Sequence, residues 1–207
     1  MMNCTMRLRR HSKAMMLMDM PNLINSAREL GFRRIDFSAF HAYFAQRTGL
    51  IRAYAYAPES YGGLNRELKK LGFEVIGRSA NGTKSQNGGE HNLDVELAVD
   101  MVLLSPYIDQ VILLSGDGDF TYAVKVVRRR GVWATVISPE PTGEGNRTSR
   151  QLVEAADEFV ALEDVLREIH ERPRDSLIHM REVLELTQGA SSSGKGANQA
   201  GVRRQAA

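Results

Sequence analysis

The run Val111-Ile112-Leu113-Leu114 closes on Ser115-Gly116-Asp117-Gly118-Asp119-Phe120, and this junction constrains the fold more than any other stretch. A short apolar run cut off by a glycine-rich turn predicts a strand buried on both faces. The residues that follow, Phe120 to Arg130, read as a helix. A strand that passes through a turn into a helix is the building unit of a parallel sheet. The turn then lies at the carboxyl end of the strand, where open α/β sheets bind their ligands. It carries Asp117 and Asp119. Close carboxylates repel, and both stay ionised only where a cation shares the site. Hard oxygen donors of this kind suit Mg²⁺ or Mn²⁺.

The same alternation extends to either side. Strands are expected at Ala14–Met18, Leu50–Tyr56, Phe73–Ile76 and Val132–Ile137. Helices are expected after Pro21, after a cap at Asp36, over Leu64–Leu71, over Asp94–Leu104 and near Ser149–Ala156. A short apolar piece, Phe159–Leu162, follows. Gly31, Gly72 and Gly131 stop helices, as glycine past a helix end commonly does. Strands alternating with helices define an α/β domain, a mostly parallel sheet with helices on both faces. Ser79 to Asn92 is rich in Gly, Asn, Ser and Thr and reads as a long loop.

At 207 residues the chain holds one domain plus tails. The expected division is a mobile basic arm over 1–13, a domain over 14–165, a helical extension over 166–187 broken near Pro173, and a disordered tail over 188–207. The tail is Gly, Ala, Ser, Asn, Gln and Arg, which bury too little apolar surface to offset ordering entropy. The arm holds Arg7, Arg9, Arg10 and Lys13 without an apolar segment, so it does not read as a secretory signal. Met15 or Met16 is an alternative start of translation. The lone cysteine, Cys4, excludes an internal disulfide framework and fits a cytoplasmic protein. No apolar run reaches membrane-spanning length. A net charge of +2 neither requires nor excludes a nucleic-acid partner.

Carboxylates recur where strands end or helices begin: Asp19 after the first strand, Asp94 at a helix start, Asp117 and Asp119 in the central turn. Each has a plain structural reading. Asp94 alone is a helix cap, Asp19 a cap or loop carboxylate, and Asp117 with Asp119 a solvated turn. A parallel sheet, however, gathers all of these places along one edge.

Asp19-x-x-Asn22, Asp94-Val-Glu-Leu-Ala-Val-Asp100-Met, Ser115-Gly-Asp-Gly-Asp-Phe120, and Ser149-x-x-Leu152 leading to Ala156-Asp157-x-Phe159-Val160 together resemble the NYN domain. This is the LabA-like branch of the PIN-like nuclease superfamily. The resemblance spans about residues 14–165 and implies a Rossmann-like (PIN-like) fold with a metal-dependent RNA-cleaving site. By position it implies Asp19, Asp94, Asp117 and Asp119 as catalytic, metal-binding carboxylates, with Asn22, Asp100 and Ser115 in support. Asp100 lies about 240° round the helix from Asp94 and about 9 Å along it, so the two do not readily share an ion. Two departures from the family pattern stand out. Met20-Pro21 replaces the usual glycine after the first Asp, and Glu90-His91-Asn92-Leu93 stands where Lys-Gly is common.

The implied function is a metal-dependent endoribonuclease. The alternative is a non-catalytic RNA- or protein-binding regulatory module on the same fold. A haloacid-dehalogenase-like hydrolase is disfavoured, since Asp19 leads into Met20-Pro21 and not an Asp-x-Asp pair. Phosphate contacts are expected from Lys84, Arg147 and Arg150. Arg128-Arg129-Arg130 suit the end of their helix and read as structural or facing an oligomer partner, so a homo-oligomer stays open. Phe120, Tyr54 and Tyr56 read as packing residues.

Overall fold

The computed structural model describes residues 12–77, 93–141 and 148–171. The expected loop over 79–92 with Lys84 and His91, the position of Arg147, and everything past Glu171 lie outside the described residues.

The alternation forms one sheet. Its strands are β1 (Lys13–Asp19), β2 (Gly49–Tyr56), β3 (Glu74–Ile76), β4 (Gln110–Leu114), β5 (Trp133–Ser138) and β6 (Glu158–Ala161). The spatial order is β3-β2-β1-β4-β5-β6 and every pairing is parallel. The helices are α1 (Met20–Glu29), α2 (Phe37–Arg47), α3 (Gly62–Lys70), α4 (Asp94–Leu104), α5 (Thr121–Arg129), α6 (Arg150–Ala155) and α7 (Leu162–Glu171). The chain runs outward from β1 to β3, returns through α4, and runs outward the other way from β4 to β6. The direction reverses between β1 and β4, and a crevice opens at the carboxyl ends of strands on either side of such a reversal.

Residue parity builds two cores. In β1, Ala14, Met16 and Met18 join the layer under α1, α2 and α7, while Met15 and Leu17 join the layer under α4 and α5. β4 divides the same way: Ile112 and Leu114 enter the first layer, Val111 and Leu113 the second. This explains why its run is apolar without alternation. α7 begins directly after β6 and buries Val165, Leu166 and Ile169 in the first layer. Its Glu168 pairs with Arg47 and accepts from the Tyr43 hydroxyl at 3.1 Å.

Helix ends follow their side chains. Asp36 caps α2 by accepting from Ala39 N–H at 3.0 Å. Gly31, Gly72 and Gly131 sit at φ of 87°, 89° and 85°, just past α1, α3 and α5, a backbone region that side chains with a Cβ resist. Other boundaries differ from the expected ones. α3 starts at Gly62 rather than Leu64, because a 3₁₀ turn over Glu59–Tyr61 feeds straight into it. The turn Gly118–Phe120 is 3₁₀ and α5 starts at Thr121. The apolar piece near Phe159 is a strand, β6, that ends at Ala161.

Candidate metal and phosphodiester site

β1 ends at Asp19, whose parity turns its side chain to the α4–α5 side of the sheet. The register sets Met18 beside Leu114, so Ser115 follows at the level of Asp19. The Ser115 hydroxyl donates to Asp19 Oδ2 at 2.9 Å, and its oxygen accepts from Asp117 N–H at 3.1 Å. The other Asp19 oxygen, Oδ1, accepts from Asn22 N–H at 3.2 Å and so caps α1, with Pro21 in the first turn. Asn22 Oδ1 in turn accepts from Gly116 N–H at 3.1 Å. Met20 points into the core and is fully buried, so it does not intrude on the site.

Asp117 accepts from Asp119 N–H at 3.0 Å and thereby caps the 3₁₀ turn. The Gly116 carbonyl accepts from Ser149 N–H at 2.8 Å. A Cβ on Gly118 would lie 3.0 Å from Ser149 Oγ and 3.2 Å from its Cβ, so glycine lets the start of α6 close on the turn. Ser149 caps α6 by accepting from Leu152 N–H at 3.4 Å.

Asp94 is the first residue of α4, not its cap; Leu93 holds the cap position without a side-chain bond. Oxygens of Asp94, Asp117 and Asp119 lie within 4.8 Å of one another. Asp94 and Asp117 are half-buried and Asp119 is exposed. Asp19 lies outside this trio and is buried, 8% exposed, close enough to feel the charges of Asp94 and Asp117. Its carboxyl pKa is raised from the usual 3.8 to about 6. Burial is the main cause. The bonds from Asn22 and Ser115 act against it, and the charges of Asp94 and Asp117 add to it.

Among the described residues no lysine or arginine is ion-paired with Asp117 or Asp119. Converging carboxylates are the donor set of a hard divalent cation, and the residues present fit such an ion.

Asp100 lies outside the trio; its Oδ2 accepts from the Tyr56 hydroxyl at 2.9 Å. From the sequence Tyr56 reads as a packing residue. It is buried and holds α4 against β2 as well, and burial with Asp100 keeps its phenol far above its usual range. Arg150 is exposed, one residue beyond the Ser149 that meets Gly118. Arg128 pairs with Asp157 at 2.7 Å and donates to Ala155 O at 2.8 Å. Arg130 donates to Val102 O at 2.6 Å and to Ser105 Oγ at 2.9 Å. Both tie α5 to its neighbours.

A parallel sheet in this strand order, with carboxylates gathered where it reverses, defines a Rossmann-like domain of the PIN-like type. The sequence pattern of the NYN domain matches residues 13–163, and the chain belongs to that family. It is 30% identical over 134 residues to the low amplitude and bright protein LabA of Synechococcus elongatus, covering 59% of this chain and 69% of that protein. It also resembles the crystal structure of VPA0982, a protein of unknown function from Vibrio parahaemolyticus. The TM-score is 0.65 at 28% identity, over 78% of this chain and 99% of that one. Among the described residues no helix is long and apolar enough to cross a membrane.

Proposed function

We propose that the chain is a cytoplasmic endoribonuclease that hydrolyses RNA phosphodiester bonds at the Asp19–Asp94–Asp117–Asp119 cluster with Mg²⁺ or Mn²⁺. The observation that carries this reading is the convergence of Asp94, Asp117 and Asp119 within 4.8 Å at the point where the sheet reverses. A bound divalent ion would lower the pKa of water and offset charge at the scissile phosphate. Asp94, Asp117 and Asp119 would hold it, with Asp19 adding negative charge nearby. Ser115 and Asn22 keep the turn in place by their bonds to Asp19, Asp117 N–H and Gly116 N–H. Gly118 lets the start of α6 close on this turn. Arg150, exposed at the start of α6, would meet the RNA backbone together with Lys84 and Arg147, a role that all three are assigned from sequence.

The test is cleavage of mixed single- and double-stranded RNAs with and without Mn²⁺, comparing wild type with Asp117→Asn. The expected result is Mn²⁺-dependent cleavage that Asp117→Asn abolishes, with circular dichroism unchanged. Mn²⁺ at about one hundred times its Kd should stabilise wild type by about 2.7 kcal/mol, raising its Tm more than that of the variant. Full cleavage by Asp117→Asn refutes the assignment. RNA binding without cleavage by wild type, in Mn²⁺, replaces it with a binding module.

A further inference from the structure

Of the three consecutive arginines that close α5, Arg128 and Arg130 are engaged with neighbouring elements. Arg129 is not. Its Nε donates to Lys125 O within the same helix at 3.3 Å, and its guanidinium lies 5.8 Å from the centre of the Tyr122 ring. Among the described residues neither Arg129 nor Lys125 has an acidic partner. Both are exposed, and Tyr122 is 70% exposed.

This group is continuous with the carboxylate site. Asp119, Tyr122, Lys125 and Arg129 recur at spacings of three and four residues and so share one face. Asp119 is the exposed member of the trio. α5 joins β4 to β5, which are parallel, so it runs back from the carboxyl edge of the sheet. From Tyr122 to Arg129 it covers about 10 Å. The strip therefore begins one turn past Asp119 with an open aromatic ring and continues with two cations. α4, packed beside α5, leaves Val95, Val99 and Leu103 exposed. That border is aliphatic and gives a phosphate no partner.

We propose that Tyr122, Lys125 and Arg129 form a track for single-stranded RNA leading away from the carboxylate site, an inference that rests on reading that site as a ribonuclease centre. Tyr122 stacks a base next to the scissile phosphate, and Lys125 and Arg129 contact the phosphates that follow. Every base has a face to stack, so the ring accepts any sequence. It does select for unpaired bases, because a base inside a duplex is already stacked on both sides. The Arg129 guanidinium beside the ring adds a cation to the stack. An acidic peptide would satisfy the two cations but leave the ring without a planar partner, so it is the poorer occupant.

The test is binding of a fluorescent single-stranded RNA, and of the same strand in a duplex, to the full-length protein. Anisotropy is read in chelator, where metal-dependent cleavage does not intervene, over a range of salt. Tyr122→Ala should weaken binding of the single strand about tenfold and leave duplex binding unchanged. Tyr122→Phe keeps the ring and should bind as wild type does. Lys125→Ala with Arg129→Ala should lower the log–log salt slope by about 1.4, two phosphate contacts at about 0.7 each, whereas Tyr122→Ala should not alter it. All three side chains are exposed, so circular dichroism should be unchanged throughout. Wild-type affinity and slope in these variants overturn the track. So does a Tyr122→Ala loss that is equal for single strand and duplex, or a wild type that binds no RNA. The two readings fail separately. Mn²⁺-dependent cleavage with RNA binding indifferent to these variants keeps the ribonuclease and removes the track. Binding that responds as described, with no cleavage in Mn²⁺, keeps the track and removes the ribonuclease.

Discussion

Replacing Asp19 by Asn should change the protein's stability with a sign that depends on pH. The carboxyl pKa is raised from 3.8 to about 6 in the folded chain, and that gap corresponds to about 3 kcal/mol. Folded protein therefore holds this proton more tightly than unfolded protein. The stabilisation is fully present below the unfolded pKa of about 4 and is lost as pH rises through about 6. At pH of about 7.5 the ionised Asp19 costs the metal-free protein the whole amount. Asn carries no charge, so that cost disappears. It keeps an acceptor for Asn22 N–H but cannot accept the Ser115 hydroxyl as Oδ2 does, a loss of about 1 kcal/mol. In chelator, Asp19→Asn should gain about 2 kcal/mol over wild type near neutral pH and lose about 1 kcal/mol near pH of about 4. Urea unfolding at the two pH values measures both. An Asn variant less stable than wild type by the same amount at each pH would refute the reasoning, since it would mean that Asp19 is not forced to ionise under strain.

Gly118→Ala should cost about 1–2 kcal/mol by pressing its Cβ on Ser149. Ser149→Gly should cost only a few tenths, and the double variant should recover most of the Gly118→Ala loss in chemical unfolding. Tyr56→Phe should cost about 1.5 kcal/mol, because it removes a hydrogen bond to the Asp100 carboxylate; an unchanged unfolding midpoint would mean that solvent replaces the phenol.

The sequence displayed what is local. The run Val111–Leu114 and its acidic turn fall within one stretch of chain, and so do the Asp36 cap and the glycines after helices. The gathering of Asp19, Asp94 and Asp117 on one edge could be inferred from alternation alone, since every strand of a parallel sheet ends on the same side. Contacts set by register could not. Ser115 meets Asp19 because Met18 pairs with Leu114, and no spacing announces that pairing. Tyr56 and Asp100 lie 44 residues apart and meet across β2 and α4. Ser149 was visible as part of a motif, but its contact with Gly118 follows from where β5 sits beside β4. Asp94 was legible as the start of its helix, Asp94–Leu104. Aspartate at a helix start ordinarily reads as a cap, yet here it is the first helical residue, because Leu93 occupies the cap position. The outer face of α4 was legible as composition but not as exposure, since an apolar helix gives no sign of which side the sheet will cover.

Gly116 is grasped from both directions: its amide by Asn22 at the start of α1, its carbonyl by the Ser149 amide at the start of α6. Those helices belong to opposite halves of the sheet, so the loop between them acts as a keystone. Its amide hydrogens should exchange with solvent only in openings that also release α1 or α6, and such openings cost far more than the fraying of a surface turn. The ordering entropy of the acidic loop is then spent when the chain folds, before any ligand arrives. A phosphate or a metal ion meets a surface already set, and its affinity is not reduced by having to arrange the turn itself.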